Sequence, residues 1–360
     1  ALIVMLLAAA ASYLAMTPSP IDPLPWDAAP APAMTGVLEP NDTLMKAELL
    51  ARGQVHGPED TAVDSQGRVY AGLHDGRIVR VLADDSLETF ADTGGRPLGM
   101  NFDASGHLIV ADAYGDPTAP PVCFFHGGGQ SRRSWAGSAR RVASAGYYGL
   151  SFDLRGHGDS GWAADGDYLL EAYGRDVEAI VASLARPIAL VGASRGGQSA
   201  LVGGSRCPDQ VRLIMLADVA PQMVDTGVDN IRGFFRASDE GFASLEDAAD
   251  ALHHHLGQPR LPNVSGLAKS MRKQGTRFFW HWDPRSTSAE FLHPASEGEA
   301  LLAAAQRVTT PVVLVKAELS DIVSDESVAT FERLTPQLQV EIAQGVGHMF
   351  TGDRNDAFAE

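Results

Sequence analysis

Beyond about residue 116 the chain reads as short, unbroken apolar runs separated by longer stretches with helical spacing. The runs are VCFF (Val122–Phe125), YGLSFDL (Tyr148–Leu154), IALVG (Ile188–Gly192), RLIMLAD (Arg212–Asp218), VVLVKA (Val312–Ala317) and QVEIA (Gln339–Ala343). A run that stays apolar instead of alternating suits a strand buried on both faces, and so a parallel sheet covered by helices. Between the runs, WAGSARRVASAG and DYLLEAYGRDVEAIVASLA read as helices. This alternation of strand and helix predicts an α/β fold with a mostly parallel sheet.

The preceding stretch has a different texture. VDSQGRVYAG (Val63–Gly72) and FDASGHLIVA (Phe102–Ala111) share one plan: an apolar residue, Asp, two polar residues, Gly, then an apolar run. Asp64 and Asp103 are 103 − 64 = 39 residues apart, as are Gly67 and Gly106. Each unit is a hairpin turn feeding a strand, and a β-rich repeat near 40 residues is the signature of propeller blades. Residues 36–114 resemble the opening blades of gluconolactonase and strictosidine-synthase-like propellers. They make fewer than two blades, whereas closure needs at least four. In that family a Glu in the position of Glu59 is a metal ligand. Its partner ligands come from later blades that have no counterpart here, so no metal site is expected.

Ala1–Met16 is almost continuously apolar and is followed by a Pro/Ala-rich linker. It reads as a signal peptide or single anchor helix, with an apolar helix docked on the protein or on a second copy as the alternative. If it anchors or exports, the protein contacts a membrane through residues 1–16 or leaves the cell; otherwise it is cytoplasmic. The chain thus divides into an anchor-like segment with linker (1–35), a truncated β-propeller-like fragment (36–96) and an α/β domain (97–360).

Of the 360 residues, 45% are hydrophobic and 20% charged, which excludes disorder and supports a sizeable core. The formal net charge is −17, and no basic stripe interrupts it. So acidic a surface repels phosphate backbones, and no nucleic-acid partner is expected. Cys123 and Cys207 lack metal-ligand spacing.

Candidate chemistry lies on loops after the strands. Gly192-Ala193-Ser194-Arg195-Gly196 has the form G-x-S-x-G between a strand and a helix, where a serine nucleophile sits on a sharp, strained turn. Glycines flank it because a Cβ would clash in so tight a bend. FFHGGGQ (Phe124–Gln130) follows the first parallel strand, and its glycines leave backbone N–H groups unshielded. An oxyanion hole is expected from the Arg195 amide with that of Gly128 or Gly127. His126 reads as a loop-shaping residue, as does His157. His348, in GVGHMF after the last strand, is the expected base because the histidine comes last in the order nucleophile, acid, base. The acid that orients it is expected after a strand between the two. Asp321, in KAELSDIVSDES, is the leading candidate; Asp325 reads as a helix N-cap and Asp218 is the alternative.

Together HGGG, DLRGHGDS, GASRGG, the SDIVSDE loop and GHMFTGDRNDAF resemble the α/β-hydrolase family over about residues 97–360. The resemblance implies a Ser-His-Asp hydrolase without metal or organic cofactor, similar to esterases and cofactor-free haloperoxidase-like members. Some members place the acid after the earlier strand, which is why Asp218 stays open. The usual antiparallel strand pair before VCFF is missing in its ordinary form. PLGMNF and HLIVADAYGDP occupy its place, so the last propeller-like hairpin is expected to extend the hydrolase sheet. The alternative is a satellite whose exposed edges promote homodimerisation.

Residues 219–311 far exceed a βα loop and are expected to form a helical lid. Within them RFFWHWDPR offers Phe279, Trp280 and Trp282 either as an apolar substrate pocket or as the lid's own core. The expected function is cleavage of small to medium carboxylic esters through an acyl-enzyme. Alternatives are other chemistry on the same triad (perhydrolase, acyltransferase, carbon–carbon bond hydrolase) or a silent ligand-binding or assembly protein.

Overall fold

The structure is a computed structural model that describes residues 47–58, 60–92, 99–102, 108–256, 264, 267, 270–287 and 294–348. The chain divides into two units, Ala1–Leu49 and Leu50–Glu360, and every strand and helix among the described residues belongs to the second. The anchor-like segment and Glu59 lie outside the described residues. Among the described residues no helix is long and apolar enough to cross a membrane.

The apolar runs become the strands of one eight-stranded sheet. Its members are β5 (Gly99–Phe102), β6 (Leu108–Tyr114), β7 (Pro121–Phe125), β8 (Tyr148–Phe152), β9 (Ile188–Ala193), β10 (Val211–Ala217), β13 (Val312–Ala317) and β14 (Leu338–Ala343). Their order is β14-β13-β10-β9-β7-β8-β6-β5. From β8 to β14 every pairing is parallel. In β7, Val122 and Phe124 enter the core on one face while Cys123 and Phe125 enter the other. Both faces are thus dry, which is why these strands carry no polar alternation.

Helices cover the two faces unequally. The larger core lies under α2 (Leu170–Leu184), α3 (Arg195–Gly204), α6 (Pro294–Arg307) and α7 (Asp325–Leu334), with Tyr173, Val177, Leu201, Leu301 and Phe331 buried in it. The smaller core lies under α1 (Ala136–Ser144), where Trp135 and Ala139 meet Val122, Phe124 and Val191. Trp135 is fully buried and donates its indole N–H to the Phe125 carbonyl at 3.0 Å.

The propeller-like hairpin is part of this sheet. β5 and β6 pair antiparallel, and β6 pairs antiparallel with β8 from Ala111 opposite Phe152 to Tyr114 opposite Gly149. Ahead of it, β1 (Asp60–Val63), β2 (Val69–Gly72), β3 (Arg77–Val81) and β4 (Leu87–Asp92) form an antiparallel meander. Asp64 closes its first turn by accepting the Gln66 and Arg68 amides, both at 2.9 Å, with Gly67 at φ +77°. The companions Asp103 and Gly106 in the repeat lie outside the described residues. The meander docks on the hairpin: Ala62 and Ile78 share a core with Met100, Leu108 and Val110, and the Met100 amide donates to Asp60 at 2.7 Å.

Between β10 and β13 the chain inserts α4 (Asp225–Ala237), α5 (Leu245–Leu256), the hairpin β11 (Met271–Gln274) with β12 (Arg277–Trp280), and then α6. The insertion is therefore mixed rather than purely helical.

Candidate active site

Ser194 occupies the turn between β9 and α3 with φ +46° and ψ −121°. A non-glycine residue held there is strained, and the surroundings must enforce it. They do so by close approach. A Cβ on Gly196 would collide with the carbonyl oxygens of Phe125 and His126, and one on Gly192 would come within 2.5 Å of the Gly196 carbonyl carbon. The glycines of the motif are therefore steric necessities. The turn sets the Ser194 side chain at the rim of a cavity of about 700 Å³ that also exposes His348, Gly127, Gly128 and Arg195.

His348 follows β14, and its Nδ1 lies 2.9 Å from Asp218 Oδ2. Asp218 follows β10 in a left-handed conformation (φ +52°) and is fully buried. Its carboxylate also accepts the Ala317 amide at 3.0 Å and the Ser320 hydroxyl at 2.7 Å. Three hydrogen-bond partners on one buried carboxylate fix its position. Asp321 does not take this position. It sits exposed on the loop after β13, while its neighbour Ser320 reaches Asp218 instead. The carboxylate that meets His348 is thus that of Asp218, the alternative named from the sequence, and not that of Asp321. Among the described residues, no hydrogen bond joins the Ser194 hydroxyl to His348.

The HGGG loop is braced from behind. His126, fully buried, holds the Gly127 carbonyl at 2.7 Å through Nδ1 and accepts the Leu154 amide on Nε2 at 3.0 Å. His157 accepts the Gly129 amide at 3.2 Å, and His281, from the insertion, accepts the Gly158 amide at 2.8 Å. Burial pushes His126 down to about 4, and His157 and His281 each to about 3, so all three rings are neutral near pH 7. Gly127 donates its amide to Gln130 Oε1 at 3.0 Å. That contact engages one of the two loop amides singled out from sequence, while Gly127, Gly128 and Arg195 all line the cavity. Beneath the loop Arg132 pairs with Asp153, with Asp159 at 2.7 Å and with Asp112 of β6 at 2.9 Å.

Trp280, Trp282 and Phe279 do not line the cavity. The two indoles stack at 5.3 Å in the insertion's own core with Phe235 and Phe242, and Phe279 packs at Gly241. The apolar lining comes instead from Met223, Ile231, Phe235, Leu301, Leu302 and Ile322. Phe235 meets Trp282 edge-on at 5.4 Å, so the tryptophans act one layer back. Sequence reading also missed Glu297, whose carboxylate reaches Arg195 at 2.8 Å from α6. Only a fold that places α6 over α3 reveals that pair.

A mostly parallel, doubly covered sheet with its reactive loops at the carboxyl ends of the strands defines an α/β enzyme. The chain belongs to the α/β-hydrolase family, whose fold matches residues 120–354. The strictosidine synthase-like N-terminal family matches residues 36–81. An esterase of Mycobacterium tuberculosis is 27% identical over 253 residues, covering 68% of this chain and 81% of that protein. The 2-(acetamidomethylene)succinate hydrolase of Mesorhizobium japonicum is 28% identical over 241 residues, covering 64% and 82%. The adipocyte plasma membrane-associated protein of Gallus gallus is 39% identical over 108 residues, and the match covers 26% of each chain. Among solved structures, E-2-(acetamidomethylene)succinate hydrolase aligns at a TM-score of 0.61 with 20% identity, over 72% of this chain and 94% of that one. The thioesterase domain from the curacin biosynthetic pathway aligns at 0.60 with 20% identity, over 72% and 98%. At such identities the structures speak for the shared fold.

Proposed function

We propose that this hydrolase cleaves small to medium carboxylic esters through an acyl-enzyme on Ser194. The observation that carries the reading is the contact of buried Asp218 with His348, at 2.9 Å, with His348 lining the cavity that also holds the strained Ser194. With Nδ1–H donated to Asp218, His348 presents a free Nε2 as general base. It takes the proton as the Ser194 oxygen attacks the ester carbonyl. The resulting oxyanion is received by the Arg195 amide, at the N-terminus of α3, and by the Gly128 amide. Collapse of the tetrahedral species breaks the bond to the alcohol oxygen, which leaves with the proton from His348. Water, deprotonated by the same ring, then releases the acid and restores Ser194. The Ser194–His348 hydrogen bond forms when substrate binds, since catalytic hydrogen bonds are commonly long or absent without substrate. Residues 219–311 serve as the lid, and the apolar wall from Met223 to Leu302 receives the acyl or alcohol chain. The esterase of Mycobacterium tuberculosis supports the same class of reaction.

The test is direct. Ser194→Ala lowers turnover of p-nitrophenyl butyrate by ~10³-fold or more with an unchanged thermal melt. A fluorophosphonate probe labels Ser194 in the parent. Retained turnover, or label on another serine, refutes the assignment.

A further inference from the structure

The charges around the cavity have a pattern that the family resemblance does not dictate. Among the described residues the wall carries one permanent cation, Arg195, against four carboxylates, Asp225, Glu297, Glu299 and Glu326. The cation is already cancelled. Its Nη1 sits 2.8 Å from Glu297 Oε1, both side chains are nearly buried, and the guanidinium lies 5.6 Å from the centre of the Tyr173 ring. Clamped between a carboxylate and an aromatic face, Arg195 offers no net positive charge to a ligand. The three remaining carboxylates are exposed at the mouth. A cleft lined by one sign of charge focuses that field on whatever enters.

We infer that the cavity selects neutral and cationic esters and rejects carboxylate-bearing ones, with Glu297 as the specificity-determining residue that masks Arg195. This rests on the proposed esterase reading. It also sets the chain apart from its relative in Mesorhizobium japonicum, whose name denotes a succinate derivative as substrate. With Glu297 neutral, Arg195 becomes an uncompensated cation within reach of the bound chain and favours a carboxylate there.

The experiment uses three p-nitrophenyl esters with one leaving group: those of 4-trimethylammoniobutanoate, of its uncharged isostere 5,5-dimethylhexanoate, and of glutarate as the monoester. Each kcat/KM is divided by the ester's own hydroxide-catalysed rate. The expected order is cation, then neutral, then anion. The neutral ester exceeds the anion about tenfold or more in 20 mM salt, and the gap narrows in 0.5 M salt, as screening requires. Glu297→Gln lowers the neutral-to-anion ratio about tenfold. Because structural damage reduces both rates together, the ratio isolates the change of charge. An anionic ester handled as well as the neutral one overturns the inference, and so does a ratio unmoved by Glu297→Gln. Failure to cleave p-nitrophenyl butyrate would instead overturn the esterase reading itself.

Discussion

At the scale of single residues, Asp218 has three donors converging on it and Asp321 has none of them. If Asp218 fixes the His348 tautomer, Asp218→Asn reverses one of those hydrogen bonds and strands the ring in the wrong tautomer. Loss of the equivalent carboxylate in serine hydrolases costs roughly 10⁴-fold in kcat. We therefore expect a loss of about that order for Asp218→Asn and parental kcat for Asp321→Asn, both read from steady-state hydrolysis of p-nitrophenyl butyrate. The reverse pattern restores Asp321. Ser194 was legible in the sequence because its backbone strain demands glycines at fixed offsets, and that demand is local. The choice of acid is not local. Both aspartates follow a parallel strand, β10 or β13, and those strands are neighbours in the sheet. The carboxylate that meets the ring is the one on the left-handed turn, φ +52°, and no local pattern in the sequence marks that turn. Glu297 was illegible for the same reason, since its partner lies 102 residues away.

At the scale of elements, two loops hang on three neutral imidazoles. The rings of His126, His157 and His281 each accept a backbone N–H, and a protonated ring cannot accept there. Their folded pKa values are depressed to about 4, 3 and 3, below the usual 6.5. Below pH 6.5 the unfolded chain therefore binds protons that the folded chain refuses. Stability is full above that pH and is lost as pH falls towards 4. Each ring well inside that window costs about 1.4 kcal/mol per pH unit, so the wholly buried pair His126 and His157 costs about 3. For a chain of this size that is roughly 4 °C of Tm per pH unit. Melts at pH 7.5, 6.5, 5.5 and 4.5 should show the decline beginning near 6.5, with a shallower slope for His126→Asn. A Tm that stays level down to pH 4.5 contradicts it. His126 was legible as a loop brace because it lies beside Gly127, whose carbonyl it holds, and His157 as a residue of its own glycine-rich loop, though its partner Gly129 lies 28 residues away. His281 was not, because it crosses from the insertion. The insertion's aromatics show the same limit: periodicity marks them as buried but cannot say whether against substrate or against each other, and they chose each other.

At the scale of the whole molecule, the two textures of the sequence share a hydrogen-bonded sheet. β6 comes from the propeller-like repeat, yet it pairs with β8 as well as with β5, and its Asp112 reaches the buried Arg132 beneath the HGGG loop. The loop after β8 leans on it as well. The Asp153 amide donates to the Val110 carbonyl at 2.9 Å, the Gly161 amide to the Leu108 carbonyl at 2.7 Å, and the Val110 amide to Ser160 Oγ at 2.9 Å. The repeat period made the hairpin legible, and its position just before VCFF suggested where it goes. What the sequence could not convey is how its two faces are divided: Ile109 and Ala111 join the hydrolase core, whereas Met100, Leu108 and Val110 join the meander. That division gives two truncations different fates. Removing residues 1–91 leaves β5 and β6 in place but uncovers Met100, Leu108 and Val110. Each such side chain contributes about 1.5–3 kcal/mol when buried, so this protein should remain active, with a lower Tm and a tendency to self-associate. Removing residues 1–114 takes β6 away, leaves the Asp153 and Gly161 amides without acceptors and deprives Arg132 of one carboxylate. Orphaned donors at a formerly buried edge should make that protein insoluble or inactive. Solubility, melting and p-nitrophenyl butyrate turnover of the two truncations, set against the full chain, decide the matter. A protein beginning at Gly115 that melts and hydrolyses like the parent would show that the sheet does not need its borrowed hairpin.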